Sequence, residues 1–296
     1  MLQLSIVTTC KNRLEHLRQT LPAMLAQADS EVIVVDYGCP QGCGDWVLEH
    51  FPQVRVIHVD DDPEFCLARA RNAGARQARA EWLAFVDADI VLAGDFAAVV
   101  TPLLIPGYHY INDAGTWETY GTCLCRRADF DRIEGYDEVF GRLRGEDEDL
   151  YFRLSGIGVS RAHFPDGLLK PISHGDELRG LRGIGEKLAH QRISTLYIQA
   201  KADLARLTAS PDRMLREKLL AAARRSVMTL DDDDGFRPMA HNLTVDMPLR
   251  FPNLDFFGLS LSRKIVYTLA MPVDAPLEAI RARVTAGTGT RARRLP

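Results

Sequence analysis

The stretch EWLAFVDADIVL, residues 81–92, places Asp87 and Asp89 one residue apart at the end of an apolar run. Neighbouring carboxylates repel, so a positive partner should compensate them. On a strand, residues two apart point the same way, and both carboxylates can address one point. A hard divalent cation that also accepts phosphate oxygens, Mg2+ or Mn2+, suits such a pair; two acids capping the following turn is the other reading of the same spacing. A second acidic run, GEDEDL, spans Gly145 to Leu150 just before an apolar helical pattern. Taken alone it reads as a solvated helix start favoured by the helix dipole. With Glu146 and Asp147 in the first turn, one carboxylate can face a ligand crevice and take a proton from an attacking hydroxyl, while Glu148 and Asp149 turn away. His174, in PISHGDE, is a candidate third metal ligand, with His163 in RAHFP as its rival.

These side chains need a scaffold. LQLSIVTTC, EVIVVDYG, VRVIHVDDD and EWLAFVDAD read as strands, and RLEHLRQTLPAMLAQ, GDWVLEHF and CLARARNAGARQA between them read as helices. Strands alternating with helices predict a parallel sheet covered on both faces, with its ligand crevice beyond the carboxyl ends of the strands. Asp36, Asp60 and Asp87 fall at those ends. YHYINDAG and TYGTCLCRRADF then read as strands of a mixed second half, and the chain turns helical from about Arg182. The expected division is a domain over residues 1–177 and a mainly helical extension with an irregular tail over residues 178–296.

The bulk numbers restrict the function classes. The 296 residues carry a formal net charge of −4, which does not fit a general nucleic-acid binder. The apolar runs are strand-sized, too short to span a membrane, and residues 1–9 read as a strand rather than a signal peptide. The six cysteines match no zinc spacing and read as reduced, partly buried thiols of a cytoplasmic protein. DDDDG (Asp231–Gly235) lacks the EF-hand spacing for calcium and reads as a solvated helix exit.

Taken in order, the motifs resemble a known group. SIVTTCKNRLEHLRQTL, EVIVVDYG, ARARNAGARQA and FVDAD resemble the nucleotide-binding half of family 2 glycosyltransferases of the GT-A fold, an α/β architecture with a mixed sheet flanked by helices. GYDEVFGRLRGEDEDLYFRL resembles the acceptor-side motif of β-1,4-galactosyltransferases and polypeptide N-acetylgalactosaminyltransferases. The resemblance covers residues 2–175. It implies that Asp87 and Asp89 form the metal-binding Asp-x-Asp motif, with Asp89 the closer ligand, Asp87 near the ribose and His174 completing the set. Asp147 would be the catalytic base, with Glu146 beside it contacting the acceptor. Thr9, Lys11 and Arg13 would contact the nucleotide base and diphosphate. Asp36 matches the first acid of a Val-Asp-Asp pattern, and Phe65 and Arg71 match aromatic and basic contacts to the nucleotide. The implied reaction is Mn2+- or Mg2+-dependent transfer of a hexosyl or N-acetylhexosaminyl group, with inversion. The donor would be a nucleotide sugar, UDP-linked by preference, and the acceptor a hydroxyl of a glycan, a lipid-linked molecule or a small molecule.

Two departures bear on specificity. Tyr37 replaces the second acid of the Val-Asp-Asp pattern, and Leu143 stands where the galactosyltransferases place an acceptor-side tryptophan. A nucleotidyltransferase on a related sheet is the alternative enzyme, but TTCKNR lacks the glycine-rich, lysine-bearing loop it needs. A non-catalytic sugar- or nucleotide-binding module is the alternative outside enzymes. In the extension, Leu188, Ile193, Leu196, Tyr197 and Leu204 form an apolar stripe that should pack on the chain's own sheet or on a second copy of the chain. The basic tail RARRLP offers anionic lipid only a weak attraction.

Overall fold

The short runs of Val, Ile and aromatic residues between turns become the strands that their composition favours. In the computed structural model, which describes residues 2–62, 64–112, 118–172, 184–207, 211–228, 241–249 and 261–269, four of them pair in parallel. They are β1 (Leu4–Cys10), β2 (Ser30–Asp36), β3 (Arg55–His58) and β4 (Trp82–Phe85), joined side by side in the order β3-β2-β1-β4. Helices α1 (Leu14–Leu25), α2 (Cys43–His50) and α3 (Leu67–Ala75) make the crossovers that parallel pairing requires. Every residue of β1 is buried, as expected of a strand covered on both faces.

After β4 the chain enters the short strand β5 (Ile90–Leu92) and helix α4 (Phe96–Val100). It then adds β6 (Tyr108–Asn112), β7 (Cys123–Arg126), helix α5 (Arg127–Arg132), helix α6 (Glu146–Gly156), β8 (Ser160–Phe164) and β9 (Leu169–Pro171). Antiparallel β7 beside β4 turns the sheet from parallel to mixed, giving a seven-stranded order β3-β2-β1-β4-β7-β6-β8, while β5 and β9 pair separately. The side chains alternate across the sheet. Ile6, Val34 and Ala84 join Leu17 of α1 and Phe96 of α4 on one face; Val7, Ile33, Val35 and Phe85 join Ala70 of α3 and Leu150 of α6 on the other.

The chain forms two compact units. Residues 143–145 go with the described residues from Ile184 onward in the second, which holds α7 (Ile184–Leu207), α8 (Arg213–Met228), β10 (His241–Leu249) and β11 (Leu261–Leu269). An irregular remainder is expected after α8, but β10 and β11 form an antiparallel pair. The alternation is visible in hindsight: Leu243 and Val245 are buried and Thr244 between them is exposed. The apolar stripe of α7 finds a third solution. Ile193, Leu196, Tyr197 and Leu204 are buried where α7 packs on α8 and β11, inside the unit itself. DDDDG and RARRLP lie outside the described residues. Among the described residues, no helix is long and apolar enough to cross a membrane.

One cysteine expectation is corrected. Cys10 and Cys43 are disulfide-bonded, while Cys39, Cys66, Cys123 and Cys125 are free and buried. The pairing joins the end of β1 to the start of α2, which the sheet brings together across a separation of 33 residues; no local pattern carries that information.

Helix α3 rides close on the sheet because Gly74 has no side chain. A Cβ there would overlap Val7 Cγ1 and lie 3.0 Å from Val35 Cγ2, both on stiff β-branched residues. Gly74→Ala gains up to about 1 kcal/mol of helix propensity, but forcing a methyl into a packed core costs about 1–3 kcal/mol. The expected net result is a lower urea midpoint with an unchanged m-value, measured by equilibrium unfolding; a raised midpoint would show that the α3–sheet contact yields easily.

Candidate active site

The carboxylate pair does not lie in a strand. β4 ends at Phe85, and Asp87 and Asp89 occupy the turn that follows, closed by the Ile90 N–H donating to the Asp87 carbonyl at 3.0 Å. Each acid has its own cation. Asp87 Oδ1 accepts from Arg71 Nη2 at 2.8 Å, and Asp89 Oδ2 lies 3.7 Å from Arg13 Nη1. The positive partners that the pair demands are thus two arginines of the chain. Arg71 engages one oxygen of Asp87, and the carboxylates of both acids are hard oxygen donors of the kind a divalent cation shared with phosphate takes. His174 lies outside the described residues, and His163 is exposed on the edge strand β8.

Arg71 is expected at the nucleotide, but it is one of the most deeply buried side chains of the protein, 1 % exposed. Its guanidinium donates to Asp147 Oδ1 at 2.5 Å, to the Tyr136 hydroxyl at 3.2 Å and to the Gly121 carbonyl at 3.4 Å, and lies 5.1 Å from the centre of the Tyr136 ring. Burial opposes its charge, but Asp147, Tyr136, Asp87 and Glu146 together outweigh that penalty and hold it firmly protonated. The next residue completes the clasp. Asn72 accepts from the Tyr136 N–H at 2.8 Å and donates to the Tyr136 carbonyl and to Glu138 Oε1, each at 2.9 Å. Gly135, at φ 70°, is required there, because a Cβ would lie 2.5 Å from Asn72 Oδ1.

The acidic run begins α6, and its members part ways. Glu148 is exposed, as a solvated helix start predicts. Asp149, which the solvated-start reading of the run would leave in water, is fully buried, accepting from Arg153 Nε at 2.7 Å; Arg153 in turn donates to the carbonyls of Ile133 and Gly135. That one-turn spacing pins α6 to the Tyr136 loop. Asp147 sits beside Asp87 on Arg71. Burial is the chief influence on it and pushes its pKa up, Arg71 pulls it down, and the negative charge of Asp87 adds to the rise. Glu146 is buried without so close a cation, and burial followed by the charge of Asp147 pushes it up to about 8.

Gly121 shows where the site is open. A Cβ at this position would stand 3.1 Å from Asp87 Oδ2, 3.2 Å from Asp147 Oδ2 and 3.0 Å from Arg71 Nη2. The glycine therefore leaves unobstructed the oxygens that Arg71 does not engage. Its neighbour is held in place by Tyr151 of α6, whose hydroxyl donates to the Tyr120 carbonyl at 2.7 Å.

The remaining candidates collect at the carboxyl ends of β1 and β2. Lys11 lies 5.4 Å from the centre of the Tyr37 ring, Phe65 meets that ring edge-on at 5.3 Å, and the Tyr37 hydroxyl donates to Asp62 at 2.5 Å. Burial and that hydrogen bond raise the pKa of Tyr37. Thr9 is buried in β1. Both oxygens of Asp36 are taken by backbone, the Cys39 N–H at 2.7 Å and the Gly44 N–H at 2.6 Å, so in this structure Asp36 shapes the loop into α2. The sequence reading overlooked Tyr136, Asn72, Gly121 and Asp62. One signal was present: Arg71 and Asn72 stand between Ala70 and Ala73 on a helix rich in small residues, and polar groups in such positions need partners.

Residues 5–120 match the model of glycosyl transferase family 2. Among solved structures, the chain is similar to a mannosyltransferase of Pyrobaculum calidifontis in complex with GDP-Man and Mn2+, at 17 % identity and TM-score 0.53 over 76 % of this chain and 69 % of that one. It is likewise similar to residues 1–349 of TarS from S. aureus in complex with UDP-GlcNAc, at 12 % identity and TM-score 0.55 over 78 % and 77 %. The fold is the GT-A fold of glycosyltransferases. A validoxylamine A glucosyltransferase of Streptomyces hygroscopicus subsp. jinggangensis is 38 % identical over 96 residues, 31 % of this chain, and the chain spans only 22 % of that relative's length.

Two stability measurements test the electrostatics. Unfolded Glu146 ionises near its ordinary 4.5, whereas the folded group holds its proton to about 8, so across that window the native state binds more protons. Stability should fall as pH rises from 5 towards 8, and Glu146→Gln should flatten that fall; equal slopes for the two proteins would refute it. Arg71→Met strands buried carboxylates, which should cost about 3–5 kcal/mol at neutral pH. The loss should shrink at pH 5, where the carboxyls can protonate, as read from urea midpoints.

Proposed function

We propose that the protein transfers a sugar from a nucleotide-sugar donor, UDP-linked by preference, to a hydroxyl acceptor, with inversion. The observation that carries this reading is the convergence of Asp87 and Asp147 on the open side of Gly121. Two acidic motifs far apart in the chain meet there, each with one oxygen engaged by Arg71 and one left free. Asp147 Oδ2 is the atom to receive the acceptor proton. Burial makes it more basic than an ordinary carboxylate, and Arg71 fixes its partner oxygen so that the free one keeps its aim. Glu146, beside it and largely protonated near neutrality, can donate a hydrogen bond to the acceptor. Lys11, Tyr37 and Phe65 form the surface proposed for the nucleotide base, and Arg13 reaches towards the diphosphate from the same edge. Asp87 and Asp89 would hold Mn2+ or Mg2+, which when bound neutralises charge on the leaving diphosphate. The presence of Mn2+ in the similar mannosyltransferase supports that choice.

A panel of UDP- and GDP-linked sugars, assayed for donor hydrolysis and transfer with Mn2+ and with excess chelator, tests the reading. Turnover is expected with Mn2+ only and is abolished in Asp89→Ala with the fold intact. Asp147→Asn should leave donor binding nearly unchanged while transfer falls at least about a hundredfold, the scale for losing a general base. Full turnover in chelator would remove the metal from the mechanism, and normal transfer by Asp147→Asn would move the base elsewhere.

A further inference from the structure

Cys10 closes β1, Cys43 opens α2, and Cys39 lies in the loop between β2 and α2. The three sulfurs lie within 4.8 Å of one another, and all three residues are buried. Cys10 and Cys43 share the disulfide, and the free Cys39 Sγ stands 2.9 Å from Cys43 Sγ. A third sulfur placed against one sulfur of a disulfide is the arrangement that thiol–disulfide exchange needs, because the attacking thiolate must reach a disulfide sulfur directly.

We propose that Cys10, Cys39 and Cys43 form an internal thiol–disulfide exchange site, in which the disulfide alternates between Cys10–Cys43 and Cys39–Cys43. In the forward step Cys39 gives up its proton and its thiolate attacks Cys43 Sγ. The Cys39–Cys43 bond forms, the Cys10–Cys43 bond breaks, and the electron pair leaves on Cys10 Sγ, which takes up the proton. Nothing is oxidised or reduced overall, and no outside reagent enters the balance.

The surroundings position Cys39 against Cys43. The Asn12 N–H donates to Cys39 Sγ at 3.3 Å and holds that sulfur in place. Asp36 holds the Cys39 N–H with one oxygen and the Gly44 N–H with the other, at 2.7 and 2.6 Å. Gly42, at φ 65°, turns the chain between them, with its N–H donating to the Cys39 carbonyl at 2.9 Å. One carboxylate and one tight turn thus present both cysteines of the second pair to each other. Burial restricts bulk thiols and leaves the internal exchange unhindered.

The two linkages differ in what they tie together. The Cys10–Cys43 bond, spanning 33 residues, fastens the end of β1 to α2. The Cys39–Cys43 bond closes within a single loop and releases the end of β1. Cys10 directly precedes Lys11, Asn12 and Arg13, where Asn12 holds a left-handed φ of 58° and donates to the same Cys39 sulfur. Exchange therefore changes the tether of the segment that carries Lys11 and Arg13.

Disulfide mapping of the full chain tests this without reference to any donor or acceptor. The protein is purified without reductant, quenched in acid, alkylated with N-ethylmaleimide in denaturant, digested and analysed by mass spectrometry. Wild type incubated at pH 8 should yield both Cys10–Cys43 and Cys39–Cys43 peptides. Cys39→Ser should yield Cys10–Cys43 alone. Cys10→Ser, shown to be folded by its near-UV circular dichroism, should lose Cys39 alkylation and carry Cys39–Cys43 throughout. Wild type with Cys10–Cys43 as its sole linkage would overturn the proposal even if Cys10→Ser fails to fold. So would a folded Cys10→Ser chain in which Cys39 and Cys43 remain thiols after mild oxidation, or a stoichiometric metal ion bound by three unoxidised thiolates on elemental analysis of wild type.

Discussion

The structure depends on the burial of one guanidinium. Removing an ion from water costs several kcal/mol after relaxation, and only close, well-aimed partners offset that cost. Arg71 obtains them from Asp87, Asp147, the hydroxyl and ring of Tyr136, and the Gly121 carbonyl. These groups come from the turn after β4, the start of α6, the loop before it and the segment leading to β7. If any of them were displaced, a buried charge would be left short of compensation. The requirement to satisfy Arg71 thus acts as a positional constraint on every segment that contributes to the proposed chemistry.

The electrostatic balance around that cation leaves acid in surplus. Arg71 meets Asp87 and Asp147 directly, while Glu146 shares only its field and is driven towards the neutral form by burial. Three neighbouring carboxyls therefore differ in their engagement: Asp87 and Asp147 each keep one free oxygen, and Glu146 stays protonated near neutrality. Groups of one chemical type acquire different roles through environment alone. Arg13 stands 3.7 Å from Asp89, the second acid of the Asp-x-Asp pair.

Backbone choices keep the site both tight and open. Gly135 lets the Tyr136 loop close onto Asn72, where a side chain would collide, and Gly121 leaves space over the free oxygens of Asp87 and Asp147. Tyr151 and Arg153 of α6 reach back to the Tyr120 carbonyl and to the carbonyls of Ile133 and Gly135, so the helix that presents Asp147 is braced from two directions. Rigid elements hold the first contacts of a site more accurately than free loops do.

The sequence by itself determined the parallel half of the sheet, the mixed second half and the gathering of Asp36 and Asp87 at strand ends, because these follow from hydrophobic period and from the handed geometry of strand–helix crossovers. It also marked Asp87 and Asp89 as acids in need of a positive partner, and Glu146 and Asp147 as candidates for work at the acceptor. Which partner each would meet was decided only by tertiary structure. Arg71 and Asp147 are 76 positions apart, and nothing local links them. The same holds for the Cys10–Cys43 bond, for the burial of Asp149 against Arg153 in place of solvent, and for the packing of α7 on α8 and β11 within its own unit. Period and propensity act over a few residues, whereas the partner of a buried charge or sulfur is whichever group the finished fold brings within about 3–4 Å.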